Sequence, residues 1–412
     1  ALPISEHCSY IPNGGTWPIH CQAGTHGAEI HEAFYTDVKN PAQRPNDETI
    51  YYKGENDGVE EYSAFEAKNK AGKKLCDEFI GGGIVFGAFA LIAISLNFMN
   101  AIVCAIYFAL IWLVCDLVFG GVQKLIKKPM KCYYSGVAAI VLSSAALAYG
   151  WYLNHNVWAT TYNIATPKNV KPLKIVMFAD SHLGTTFNAD GFAEHVAKMQ
   201  AENPDVVIVA GDFVDDGTDK QSMLQAVERL GNMRVPYGVY FVFGNHDNGY
   251  YGAEYRGFSG AELVAELEKN GVVVLRDKAV SADGLFYVVG RRDYSVEREQ
   301  RGSRKSMAEL TADLDKSFYT IVVDHQPADY ENQAKSEVDL VLSGHTHGGQ
   351  LFPFNQVGKW IGANDRVYGY EKRGKTSFIV TSGLSDWAIK FKTGTKSEYV
   401  VINLQPAQID DH

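Results

Sequence analysis

The stretch "LKIVMFADSH", residues 173–182, decides the fold. A short apolar run with no helical spacing, closing on Asp180 and His182, reads as a buried strand that delivers polar groups into a loop. The same plan recurs in "DVVIVAGD" (205–212), "VYFVFGNHD" (239–247), "YTIVVDH" (319–325) and "VDLVLSGHTH" (338–347). Residues 190–202 between the first two carry a helical pattern. The first three runs lie about thirty residues apart, the length of one βαβ unit, so their ends converge on one edge of a sheet. The groups delivered there are Asp180, His182, Asp212, Asn245, His246, His325, His345 and His347. A single histidine at a strand end is usually a hydrogen-bonded structural residue. Carboxylates, imidazoles and an amide ending five strands in succession are the donor types of a metal centre.

Around this domain the chain is sharply divided. Residues 1–78 are polar and rich in turn formers, 79–153 are almost continuously apolar, and 160–412 read as a globular domain. The 38 Lys and Arg against 48 Asp and Glu leave a net charge of −10, which argues against nucleic acid as a partner, because such binding needs clustered cations on phosphates. All 6 cysteines fall in the first third, without zinc-finger or disulfide-framework spacing.

The apolar region predicts three transmembrane helices at about 79–98, 101–122 and 133–153, each close to the twenty residues a bilayer requires. Tyr133, Tyr134, Tyr149, Trp151 and Tyr152 flank the third, where interfacial aromatics belong. The lysines of "KLIKKPMK" (124–131) place the loop between the second and third helices in the cytoplasm. The expectation is a multi-pass cell-membrane protein whose large domain is extracytoplasmic. Asp116, within the second apolar run near that loop, reads as an interfacial, solvated carboxylate.

The ordered set D-x-H, G-D, G-N-H-D, H and G-H-x-H resembles the calcineurin-like metallophosphoesterases, and "SGHTHGGQLFP" (343–353) resembles their bacterial membrane-tethered branch. The resemblance implies an α/β fold, a four-layer α/β/β/α sandwich. It also implies two divalent metal ions (Mn, Fe or Zn), one held by Asp180, His182, Asp212 and His347 and the other by Asp212, Asn245, His325 and His345. Asp212 would bridge them and hold a metal-bridging hydroxide as nucleophile. His246, not a ligand in that family, would be the catalytic acid. The implied activity is hydrolysis of a phosphomonoester, phosphodiester or pyrophosphate, and the tether suggests a small phosphorylated, lipid or cell-envelope substrate. An inactive metal-stabilised binding module at the membrane is the alternative, but it predicts missing ligands, and none is missing.

Further substrate contacts are expected from Asn245, from Gly349 and Gln350 through backbone N–H groups, and from Arg256 and Arg291 as local positive charge. Asp215 and Asp216 read either as supports of the ligands or as a solvated loop. His195, mid-helix among charged residues, reads as a solvated face.

"HCSYIPNGGTWPIHCQAGTHGAEIH" (7–31) with "YYKGENDGVEEYSAF" (51–65) resembles nicotinamidases of the cysteine-hydrolase superfamily. His7 and His20 would then be metal ligands and Lys53 the catalytic lysine. The upstream Asp and His and the later nucleophilic cysteine have no counterpart here, so an amidohydrolase acting on nicotinamide is the lesser alternative. Residues 1–78 are expected to be a partial fragment joined to the rest as a chimeric or truncated N-terminus.

Overall fold

Strand alternation sets the architecture. In β2 (Leu173–Phe178), Ile175 and Met177 turn to one face and Val176 and Phe178 to the other, and all four are fully buried, so the strand lies inside a stack of layers. A computed structural model describes residues 75–127, 133–298 and 302–407. The nicotinamidase-like residues His7, His20 and Lys53 lie outside the described residues.

Two six-stranded sheets form the domain. The first contains β1 (Val157–Thr166), β2, β3 (Val206–Val209), β4 (Val239–Val242), β5 (Val273–Leu275) and β12 (Ser397–Pro406) in the order β1-β12-β2-β3-β4-β5. Strands β2 to β5 run parallel. The second contains β6 (Lys278–Ala282), β7 (Phe286–Gly290), β8 (Tyr319–Val323), β9 (Leu340–Ser343), β10 (Gly369–Arg373) and β11 (Thr376–Val380) in the order β10-β11-β9-β8-β7-β6, parallel from β7 to β11. Ile175, Met177, Ile208 and Ile402 of the first sheet cluster with Val288, Ile321, Leu342 and Ile379 of the second. On the outer face of the first sheet, Val176, Phe178, Val209 and Phe241 meet Phe192, Met199, Val227 and Leu267. Those partners come from three helices, numbered α4 (Ala189–Ala201), α5 (Lys220–Gly231) and α6 (Gly260–Lys269) in chain order. Behind the second sheet Val322, Val341 and Phe378 pack on Met307, Leu310 and Tyr330. The layer order is helix, sheet, sheet, helix.

Each helix of the first layer begins where a side chain satisfies a free backbone N–H. Asn188 accepts from Gly191, Asp219 from Ser222, and Ser259 and Glu262 form a reciprocal capping box. His195 on α4 is buried, 8% exposed, edge-on to Phe187 at 4.8 Å, which corrects the solvated reading. Its charged neighbours occupy the outward positions, while its own position shares the inward stripe with Phe192 and Met199.

Ahead of the domain lie α1 (Leu75–Ser95), α2 (Phe98–Ile126) and α3 (Tyr134–His155). The chain divides into two units between Ile102 and Val103. In the first unit, Asn97 caps Asn100 through its side chain and Phe89 meets Phe98 edge-on at 5.8 Å. Of the three expected spans, α2 and α3 are long and apolar enough to cross a membrane. Asp116 is not merely solvated: Tyr133 Oη donates to both its oxygens at 3.0 and 3.1 Å, and Trp112 Nε1 donates to Tyr133 at 2.6 Å.

In the second unit α3 runs almost directly into β1. Asn156 N–H donates to Tyr152 O at the junction, Lys392 N–H to Gly150 O at 3.0 Å, and Ser397 Oγ to Asn154 O at 2.8 Å. Phe391 meets Trp151 edge-on at 5.8 Å. Helix α3 is thereby fastened to the sandwich.

Candidate metal centre

The sequence-predicted donors converge beyond the carboxyl ends of β2, β3, β4, β8 and β9. Ligating atoms of Asp180, His182 and His347 lie within 4.8 Å of one another, as do those of Asp212, His325 and His345, and those of His182, Asp212 and His246. Asp212 Oδ2 stands 3.1 Å from His325 Nε2 and 3.8 Å from His182 Nε2, so one carboxylate faces both groups. Asn245 joins the second group, with Oδ1 3.0 Å from His345 Nδ1.

The backbone is bent to achieve this. Asp180, His182, Asp212, His345 and His347 all have positive φ, between 36° and 71°. L-residues take that conformation at a cost of order 1–3 kcal/mol each, and such strain collects at functional sites. Two glycines permit the approach. A Cβ on Gly344 would lie 2.6 Å from Asp180 Oδ2, and one on Gly244 would run into the Asp212 carboxylate. Asp247 binds the loops from within, accepting backbone N–H groups of Asp212, Phe213, Val214 and Gly244 at 2.8–3.1 Å. Burial, followed by the neighbouring Asp212 charge, pushes its carboxyl up to about 7.

The donors fit divalent cations. His325 Nδ1 contacts Ala210 O at 2.8 Å, and His347 Nδ1 contacts Ser385 O and Asp386 Oδ1, each at 3.3 Å. These acceptors keep the proton on Nδ1 and leave Nε2 free for a metal. Buried Nε2 of His182 has no hydrogen-bond partner, and Nε2 of His325 meets only the Asp212 carboxylate, at 3.1 Å; a metal ion would satisfy both. Burial would push the His325 imidazole down, but the Asp212 carboxylate more than reverses it and holds the pKa well above the usual range. Asp212 responds in kind: burial raises its carboxyl, and His325 brings it well below the ordinary value.

His246 sits beside the donors at 8% exposure, with its N–H on Asp212 Oδ1 at 2.8 Å and its Nδ1 3.0 Å from Asp215 Oδ1. The other Asp215 oxygen is 3.3 Å from His182 Nδ1. Asp215 is therefore a support shared by a ligand and the catalytic-acid candidate, not a solvated loop residue. Despite burial, the imidazole of His246 is raised by Asp215 and Asp212. Asp216 accepts Tyr250 and Tyr251 N–H and fixes the aromatic loop. Tyr250 and Trp387 contact the His246 ring at 5.0 and 5.4 Å, and Trp387 and Tyr251 are exposed.

Four expected substrate contacts are placed differently. Arg291 Nη1 is held by Asp324 at 3.0 Å and Asp329 at 2.8 Å, and Arg304 joins Asp324 at 2.6 Å, so its charge is neutralised inside the protein. Arg256 is buried, donating to Phe258 O and Asp247 O, and braces the loop after β4. Gly349 and Gln350 N–H groups donate to Thr346 O and His347 O, closing their own turn. These two residues line a cavity of about 340 Å³ beside His345. In each case a nearby internal acceptor or carboxylate competes successfully for the donor.

Asp247, Asp386, Lys392 and Trp387 were not assigned from sequence. Lys392 is fully buried, 3.4 Å from Asp386, which in turn backs His347. Asp247 had a signal, its place directly after His246. The others lie beyond the last motif, and only the fold brings them to the site.

A family model described as calcineurin-like phosphoesterase matches residues 173–349. An uncharacterized metallophosphoesterase of Aquifex aeolicus is 32% identical over 193 residues, 46% of this chain and 70% of that protein. One of Campylobacter jejuni is 30% identical over 246 residues, 59% of this chain and 62% of that protein. A transmembrane protein with metallophosphoesterase domain from Bos taurus is 28% identical over 249 residues, 58% and 55% of the two chains. The chain thus spans less than two thirds of the latter two relatives. The motif set, the two-sheet fold and these similarities lead to one conclusion: the chain belongs to the calcineurin-like phosphoesterase family.

Proposed function

We propose that the protein is a membrane-anchored, two-metal phosphoester hydrolase. The observation that carries this reading is the double cluster of donors sharing Asp212, with the buried Nε2 of His182 unsatisfied and that of His325 facing only the shared carboxylate. Asp180, His182, Asp212 and His347 would hold one divalent cation, and Asp212, Asn245, His325 and His345 the other. Mixed nitrogen and oxygen donors suit Mn, Fe or Zn. Such a pair supplies positive charge for phosphoryl oxygens and lowers the pKa of coordinated water toward neutrality.

The chain's own residues supply the rest. Asp212 offsets the mutual repulsion of two nearby cations. Its backbone N–H donates to Asp247, while the His246 backbone N–H and the contact with His325 hold the carboxylate in place. His246, with Nδ1 on Asp215, keeps Nε2 as the nitrogen available to protonate the leaving oxygen. Trp387 and Tyr250 wall that imidazole and limit water around it. The substrate is a phosphomonoester, phosphodiester or pyrophosphate, on a lipid or cell-envelope molecule.

Helices α2 and α3 are the proposed anchor, with the lysine-bearing loop cytoplasmic and the sandwich outside. The Bos taurus relative's name supports membrane association. The test is hydrolysis of an aryl phosphodiester by the purified full chain. Activity is expected with added Mn and loss after chelation. Full turnover in a verified metal-free sample would refute the mechanism.

A further inference from the structure

A second cavity, of about 660 Å³, opens between α2 and α3. Its walls include Leu110, Val114, Leu142 and Ala146, and its upper end is closed by Phe352 and Pro353 of the sandwich. Tyr107 Oη bonds Phe352 O and Thr393 Oγ1 at that end. The lining is almost wholly apolar and the volume lies in the range of ~300–1,000 Å³ typical of small-molecule sites.

The Phe352–Pro353 lip belongs to the segment that carries His345 and His347. Residues Gly349 to Asn355 therefore border both cavities, the polar one beside His345 and the apolar one between the helices. The same segment and its continuation expose Phe352 at 61%, Phe354 at 50%, Trp360 at 71% and Ile361 at 72%. This exposed apolar stretch, adjoining the lip of the apolar cavity, suits an interaction with lipid or protein. Here it continues the surface of two helices long enough to span a bilayer, so its surroundings are acyl chains and interface. A water-soluble phosphoester would need neither feature.

From this arrangement we infer that the α2–α3 groove binds the acyl chain of a membrane lipid whose phosphoester reaches the donors beside His345. The inference rests on the phosphoesterase reading and names its substrate class. Because lipid tails are already in hydrocarbon, the groove gains by shape and by fixing the headgroup, rather than by removing apolar surface from water. Selectivity for the phosphorylated lipid is the expected sign.

The experiment uses the full chain in phosphatidylcholine nanodiscs with phosphatidic acid carrying a diazirine in one acyl chain, with and without chelator. Mass spectrometry should place the crosslinks on peptides holding 107–115, 142–149 and 352–353, about tenfold above those on the remaining surface of α2 and α3. The same diazirine chain on diacylglycerol should lose that preference. Ala146→Trp, which fills the groove, should abolish the preference and raise KM for long-chain phosphatidic acid about tenfold. Crosslinks spread evenly along both helices, or a groove that excludes the probe because a second protein occupies it, overturn the proposal. If such a preparation still cleaves the aryl phosphodiester, only the groove assignment falls. Groove-specific crosslinking by a chain that hydrolyses no phosphoester would instead keep the binding site and remove the reading beneath it.

Discussion

Replacing Asp215 by Asn tests whether His246 is the proton donor. The substitution keeps size and one acceptor but removes the charge that meets His246 Nδ1 at 3.0 Å and His182 Nδ1 at 3.3 Å. His246 is 8% exposed, so water cannot readily replace the lost partner. A charge-assisted hydrogen bond is worth about 1.5–3 kcal/mol, which corresponds to roughly 10–150-fold in rate if it is felt fully in the transition state. Proton donation matters most when the leaving alkoxide is a poor one, so the loss must depend on the leaving group. With an alkyl phosphodiester the Asp215→Asn chain should lose about 10–150-fold in kcat. With a nitrophenyl ester, which departs without help, the loss should be under about fivefold. His246→Ala should show the same pattern, larger, about 10²–10⁴ on the alkyl ester. Steady-state kinetics on both esters, with metal content measured by plasma mass spectrometry, decides the matter. Equal losses on the two leaving groups, with both metals retained, would refute the donor role and leave Asp215 a mere support of His182.

Further outcomes follow from the same geometry. Asp212→Asn should abolish metal binding and activity together, since its Oδ2 faces both His182 and His325; a variant retaining two metals per chain would contradict the bridging role. Gly344→Ala should reduce metal content by pushing the Asp180 carboxylate 2.6 Å from the new methyl, and normal metal content would show that the loop can yield. Arg291→Ala should destabilise the chain by about 1.5–3 kcal/mol, because buried Asp324 keeps Arg304 but loses one charged donor, without a selective rise in KM; thermal unfolding alongside kinetics separates the two. His195, lowered from 6.5 to about 4 chiefly by burial and then by Lys198, binds fewer protons folded than unfolded. Its contribution is therefore complete above about pH 6.5 and lost as pH falls through 4. His195→Leu should flatten the decline in melting temperature across that window, and an unchanged slope would assign the acid sensitivity elsewhere.

Much of the site could be read in the chain because its donors end strands. A short run such as "VVIV" followed by Gly211 and Asp212 has one arrangement that buries the run and leaves the carboxylate at a sheet edge. Hence all seven expected metal ligands, and His246, meet at one place. The arginines were illegible for the opposite reason. A charge in a sequence carries no record of its partner, and Arg291 finds Asp324 and Asp329, more than thirty residues away. His195 was misread because its neighbours along the chain are charged, whereas burial is decided by the neighbours one helical turn away.

By itself the sequence determined the strand ends, the donor types and the apolar character of the region ahead of the domain, where it predicted three spans and two helices prove long and apolar enough, since local pattern and residue chemistry suffice for these. Only the tertiary structure decided which groups stand behind the donors: Asp215 on His246, Asp247 under the loops, and Asp386 with Lys392 behind His347. It alone placed the Phe352–Pro353 lip over the groove between α2 and α3. Those relations join residues up to hundreds of positions apart, and the distance between them is set by sheet order and layer packing, which no local stretch encodes.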